Sequence, residues 1–86
     1  MKAYLARVDI TLKPVVNDPQ GNTIRDALHS LGFGAVNSVR TGKYMEIRVE
    51  AASKKKAEEG ITEMCKKLLA NPVIEDFRFE IDEVKG

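Results

Sequence analysis

The sequence predicts an α+β fold of the ferredoxin-like type. This is a two-layer sandwich with an antiparallel sheet of three to four strands and two helices on one face. Three observations carry the prediction. Apolar and polar residues alternate in three separate runs, the period of a half-buried strand. Two other runs repeat apolar residues at helical spacing, as an amphipathic helix does. The runs interleave as strand, helix, strand, helix, strand over 86 residues, a length that makes one domain, residues 1–86.

The first strand spans Tyr4 to Leu12, with Tyr4, Ala6, Val8, Ile10 and Leu12 on one face and Leu5, Arg7, Asp9 and Thr11 on the other. Asp18 is placed as a helix N-cap with Pro19 at the first helical position, where its missing N–H costs nothing. Ile24, Ala27, Leu28 and Leu31 then form one stripe, so helix one runs from Pro19 to Leu31. Gly32 suits a left-handed C′ position, with Phe33 closing the cap.

Val36 to Arg40 is a short strand candidate, and Thr41-Gly42 a turn signal before the alternating run Tyr44 to Ala51. The alternative is one long bent strand through Gly42. The order is therefore βαββαβ, or βαβαβ if the middle strand is continuous. Ser53 is the N-cap of helix two, whose stripe is Ala57, Ile61, Met64, Cys65, Leu68 and Leu69. Gly60 inside it costs about 1 kcal/mol against alanine. Asn71-Pro72 ends the helix, because proline disfavours a helical residue before it. The last strand runs from Glu75 to Asp82, and Val84-Lys85-Gly86 reads as a frayed tail. Arg7, Asp9, Glu46, Arg48, Glu50, Arg78, Glu80 and Asp82 fall on the wet face of the sheet, where opposite charges pair across strands.

Composition narrows the function. Fourteen basic and thirteen acidic residues leave a formal net charge of +1. That balance lacks the basic face of a nucleic-acid binder, and the strands lack its stacking aromatics. No apolar run is long enough for a signal peptide or a membrane span. The single cysteine, Cys65, forms no internal disulfide, which fits a reducing cytoplasm. A domain this small buries only roughly 60% of its unfolded surface, so oligomerisation is expected to supply stability.

No catalytic constellation is legible. His29 is alone and beside the apolar stripe, and Cys65 sits on a buried stripe where a thiol is inert. One histidine and one cysteine make no metal cluster, and Glu58, Glu59, Glu63, Glu75 and Asp76 read as solvated charges. No Walker or Rossmann glycine pattern exists. Lys54, Lys55 and Lys56 oppose the helix macrodipole on the first turn of helix two, as a screened surface run or a contact for an acidic partner. Three irregular segments restrict residue choice where solvent-facing loops should be free. They hold Lys13, Pro14, Asp18, Gln20 and Gly21; Arg40, Gly42 and Lys43; and Asn71, Pro72 and Glu75. These are the candidates for contact with partner chains.

The motifs TLKP at Thr11–Pro14, DPQG-x-T at Asp18–Thr23, AL-x-x-LGF at Ala27–Phe33, VR-x-GK at Val39–Lys43 and MCKKLLANPVIEDF at Met64–Phe77 span nearly the whole chain. Jointly they resemble the PurS-type small subunit of phosphoribosylformylglycinamidine synthase. The resemblance implies a non-catalytic subunit of a glutamine-dependent, ATP-consuming carbon–nitrogen ligase of de novo purine biosynthesis. It would bridge a glutaminase subunit and a large subunit that makes formylglycinamidine ribonucleotide, and aid ammonia transfer between them. ATP and Mg2+ are implied for the large subunit, with no cofactor on this chain. The resemblance also implies a homodimer or tetramer, a cytoplasmic location, and no nucleic-acid or membrane partner. Lys54–Lys56, Val16-Asn17 and Gly60 depart from the family pattern, at caps and surfaces. The rival from another class is a small-molecule-sensing domain that binds an amino acid or nucleotide at a dimer interface.

Overall fold

The structure, a computed structural model, describes residues 1–85. Strand β1 spans Lys2–Leu12, helix α1 Pro19–Ser30, strand β2 Gly42–Ala51, helix α2 Lys54–Met64 and strand β3 Glu75–Val84. One π-helical turn, Cys65–Leu69, continues α2 and is closed by the Ala70 N–H donating to the Cys65 carbonyl at 3.0 Å.

The α+β class holds, with three strands rather than four. β1 lies between the other two in the order β2-β1-β3, antiparallel to both. Its register sets Ala6 beside Ile47 and Ile81, and Val8 beside Met45 and Phe79. All the apolar rows therefore face one way, toward α2. Tyr4, Ala6, Val8, Ile10 and Ile81 of the sheet pack with Ala57, Ile61 and Cys65 to form the core. The opposite face is a charge ladder, as the alternation implies: Arg7 reaches Asp82 at 2.6 Å and Glu80 at 3.5 Å, and Arg78 reaches Asp9 at 3.4 Å.

The end caps follow local chemistry. Asp18 caps α1 by accepting from the Gly21 N–H, and Ser53 caps α2 by accepting from the Lys56 N–H. Gly32 adopts φ +98°. The Gly32 N–H donates to the His29 carbonyl at 3.1 Å and the Phe33 N–H to the Leu28 carbonyl at 2.9 Å, which completes a Schellman cap.

Three sequence expectations need correction. Val36–Arg40 is not a strand, because its groups are taken by other partners: the Val36 carbonyl faces His29, the Val39 carbonyl abuts Gly21, and the Arg40 guanidinium turns to the loop after β1. The middle strand is thus single and starts at Gly42 rather than after it. Val84 belongs to β3, paired with Ala3, rather than to a frayed tail; Gly86 of that tail lies outside the described residues.

The third difference concerns layers. α2 covers the sheet, but α1 makes no substantial packing contact with it. Of α1 only Gly21 is buried, while Ile24, Ala27 and Leu31 of its stripe are exposed. The chain is correspondingly long, 52 × 30 × 14 Å. Its radius of gyration is 16.8 Å, against about 12 Å for a compact domain of this length.

Two substitutions test this packing by urea unfolding at fixed protein concentration. Ile61→Ala removes a fully buried side chain from the α2–sheet contact and should cost about 2–5 kcal/mol. Gly60→Ala should gain about 0.5–1 kcal/mol, since a Cβ there meets no atom within 4 Å.

Candidate functional site

The β1 register brings the three irregular segments to one end of the sheet. Thr11 pairs with Gly42 and Leu12 with Glu75, so the chain leaves β1 beside the starts of β2 and β3. Segments 13–21, 36–43 and 70–76 meet there.

Asp18 is at the centre. Only 3% of it is exposed. One carboxylate oxygen accepts from the Gly21 N–H at 2.9 Å and the other from the Thr41 N–H at 2.6 Å, with the Thr41 hydroxyl donating at 2.9 Å. These donors, the Thr41 N–H foremost and the Gly21 N–H next, hold the carboxyl below its ordinary pKa. Gly21 is needed for close approach, since a Cβ there would lie 2.1 Å from the Val39 carbonyl oxygen. Gly42 is likewise confined, with a Cβ 2.6 Å from the Ile10 carbonyl oxygen.

Arg40 completes the lock. Its guanidinium donates to the Lys13 carbonyl at 3.0 Å and the Val16 carbonyl at 2.7 Å, satisfying backbone that no sheet reaches. The Lys13 N–H donates to the Ile74 carbonyl at 2.8 Å, and its ammonium reaches Asp76 at 2.7 Å. Lys43 faces Glu75 at 3.6 Å. The Glu75 carboxylate also accepts from the Asn71 N–H at 2.7 Å, and the Asn71 amide oxygen accepts from the Val73 N–H at 3.0 Å. Asn71-Pro72 is thus a rigid turn, not a loose linker.

The sequence candidates therefore divide by what they touch. Asp18 and Gly21 are buried, Glu75 is half-buried, and the exposed Arg40 and Gly42 are engaged with neighbouring segments of the chain. Pro14, Gln20, Lys43, Asn71 and Pro72 are exposed at the same end, and Lys13 is half-buried with its charge paired. Val15 and Val73, at 92% and 78% exposure, add apolar area that nothing in the chain covers. At the same end a pocket of about 600 Å3 is lined by Lys13, Cys65, Lys66, Ala70, Pro72, Glu75, Asp76 and Phe77.

Sequence reasoning missed Thr41, Asp76 and the Val39 carbonyl. Thr41 lies 23 residues from Asp18, so no local pattern links them. His29 also does more than its surface placement suggested: its Nε2 lies 2.7 Å from the Val36 carbonyl and ties α1 to the following loop.

The arrangement leaves Pro14, Gln20, Lys43 and Pro72 exposed at one end of the sheet. Cys65 is fully buried, and burial pushes its thiol pKa up, so it stays protonated. Among the described residues no three His, Cys, Asp or Glu side chains group as metal ligands, and no helix is long and apolar enough to cross a membrane.

Comparison with known proteins gives a consistent answer. The family model described as PurS, phosphoribosylformylglycinamidine (FGAM) synthase, matches residues 5–83. The chain is 48% identical to the phosphoribosylformylglycinamidine synthase subunit PurS of Bacillus subtilis, over 94% of this chain and 95% of that one. It is 45% identical to the PurS subunit of Methanocaldococcus jannaschii, over 95% and 99% of the two chains. Among solved structures, B. subtilis PurS superposes with a TM-score of 0.83 at 48% identity, covering 93% of this chain and 99% of that one. A chain of the Thermotoga maritima PurLQS structure superposes with a TM-score of 0.84 at 34% identity, covering 98% of this chain and all of the other.

The Asp18 clamp predicts an acid-sensitive fold. Because the folded pKa is depressed, the clamp contributes fully above the unfolded value of about 3.9. Its contribution is lost as pH falls through the lower folded value. Asp18→Asn, whose amide N–H2 would face a backbone donor, should lower the melting temperature at pH 7 and flatten its fall on acidification. Gly21→Ala should cost about 1–3 kcal/mol through overpacking, read by thermal or urea unfolding.

Proposed function

The chain belongs to the PurS family of phosphoribosylformylglycinamidine synthase subunits, and on that premise we propose that it acts as the bridging subunit of this synthase. That it is a PurS subunit, serving purine biosynthesis within a multi-subunit synthase, follows from the family. Our reading goes further. The chain joins a glutaminase subunit to the large subunit and helps ammonia pass between them. It does so as a homodimer or dimer of dimers, in the cytoplasm, with ATP and Mg2+ held by the large subunit.

One observation carries the assembly role. The apolar stripe of α1 lies outside the core that this chain builds for itself, with Leu31 at 73% exposure. An amphipathic helix in water gains most of its stability by burying that stripe. A second protein surface is the natural cover, from a sister chain or a synthase subunit. The convergent end of the sheet supports the same reading. Its internal locks make Pro14, Val15, Gln20, Lys43 and Pro72 a preorganised surface, which lowers the ordering cost of binding.

The test is reconstitution with the large and glutaminase subunits in Mg2+, nucleotide and glutamine, read by light scattering. Co-elution of all three is expected, and no association with either subunit overturns the reading. Glutamine-dependent synthesis should collapse when this chain is left out, while synthesis from added ammonia persists. Gln20→Ala with Lys43→Ala should weaken assembly about tenfold or more and leave the fold intact by circular dichroism.

A further inference from the structure

The end of α2 leaves a space that the bridging role does not use. Helical spacing from Ile61 and Cys65 puts Leu68 on the sheet side. The π-helical turn Cys65–Leu69 takes it out of that register, and Leu68 is 82% exposed. Ala70 then leaves the helix in an extended conformation, φ −120° and ψ 142°. The chain turns at once and returns as β3. The Ile74 and Glu75 N–H groups close this turn, donating to the Asn71 carbonyl at 3.1 and 2.7 Å. With Leu68 turned out, the gap between the helix end and the start of β3 stays open as the pocket of about 600 Å3. Small-molecule sites have volumes of about 300–1,000 Å3, and π turns recur at functional sites in helices.

The lining selects a chemistry. Ala70 is buried and Phe77 half-buried, and with Pro72 they give the pocket methyl, phenyl and pyrrolidine surface. The faces of an aromatic ring and a proline ring suit a flat aromatic ligand. The charges then choose its polar end. The Lys13 ammonium holds Asp76 at 2.7 Å. Glu75 faces Lys43 at 3.6 Å and accepts from the Asn71 N–H at 2.7 Å. Lys66 makes no ion pair among the described residues. One cation is therefore left over once each lining carboxylate has its partner. A ligand ammonium finds no acid here without a cation of its own. A single carboxylate meets an uncommitted charged donor. An inorganic anion matches that charge but leaves the apolar lining in water.

We propose that this pocket binds a small flat aromatic monocarboxylate, its ring on Pro72 and Phe77 and its carboxylate on the Lys66 ammonium. The site is independent of the subunit-joining role, and its failure leaves that role untouched.

Indole-3-acetate is the probe, titrated into the isotope-labelled full chain and followed by amide NMR shifts. Saturable shifts are expected at Lys66, Ala70, Asp76 and Phe77, with a Kd of about 1 mM. Benzylamine, phenylalanine and inorganic phosphate should each bind about tenfold more weakly or worse. Lys66→Gln should raise the indole-3-acetate Kd about fivefold or more. Lys67→Gln removes the same charge from a lysine that pairs with Glu63 and does not line the pocket, and should leave the Kd unchanged. Both lysines are exposed, so both variants should keep the wild-type spectrum elsewhere. Shifts that fail to saturate, or that saturate at another surface, overturn the site. Benzylamine or phenylalanine binding as tightly overturns the choice of a monocarboxylate, and phosphate binding as tightly overturns the aromatic ring. A Kd that Lys66→Gln leaves alone, or that Lys67→Gln raises equally, overturns Lys66 as the anchor.

Discussion

One buried carboxylate organises the end of the molecule where the three irregular segments meet. Asp18 holds the N–H of Gly21 within its own helix and the N–H and hydroxyl of Thr41 from the approach to β2. A buried charge is tolerated when such donors replace water. They join the start of α1 to the loop 36–41, which His29 and Arg40 hold as well. The Arg40 guanidinium then reaches the Lys13 and Val16 carbonyls, and Lys13 in turn meets Ile74 and Asp76.

The same constraint explains the extended shape. α1 is held at its first turn by the clamp and at its last by the Schellman cap and His29, yet α2 alone covers the sheet. A helix fixed at both ends, with its apolar stripe facing solvent, is suited to packing against a second surface. Rigid placement limits the entropy that binding must overcome. The family's place in a multi-subunit synthase suits that placement.

Much of this was legible in the residues. Period-two alternation located all three strands and their wet face, because side chains alternate strictly across a strand. The caps at Asp18, Ser53 and Gly32 were legible because capping is settled within a few residues. The TLKP, DPQG and NPVIEDF motifs were legible as a family. The Val36–Arg40 loop was misread as a strand, since its contacts run to α1, to Gly21 and to the loop after β1 rather than to a neighbouring strand. Among the site candidates, sequence gave Asp18 a role as helix cap yet grouped it with Gln20, Arg40 and Lys43 as a contact candidate. Folding separates them: Asp18 is buried, Arg40 is tied across the surface to the loop after β1, and Gln20 and Lys43 remain exposed.

By itself, then, the sequence determined what depends on near neighbours: element type, capping, the face each side chain takes, and family. Tertiary structure alone decided three things. It paired Asp18 with Thr41, gathered three distant loops at one end of the sheet, and left α1 off the core. Each turns on which groups, separated by tens of residues, compete for the same donor or the same apolar surface. That competition is resolved only when the β1 register sets the segments side by side.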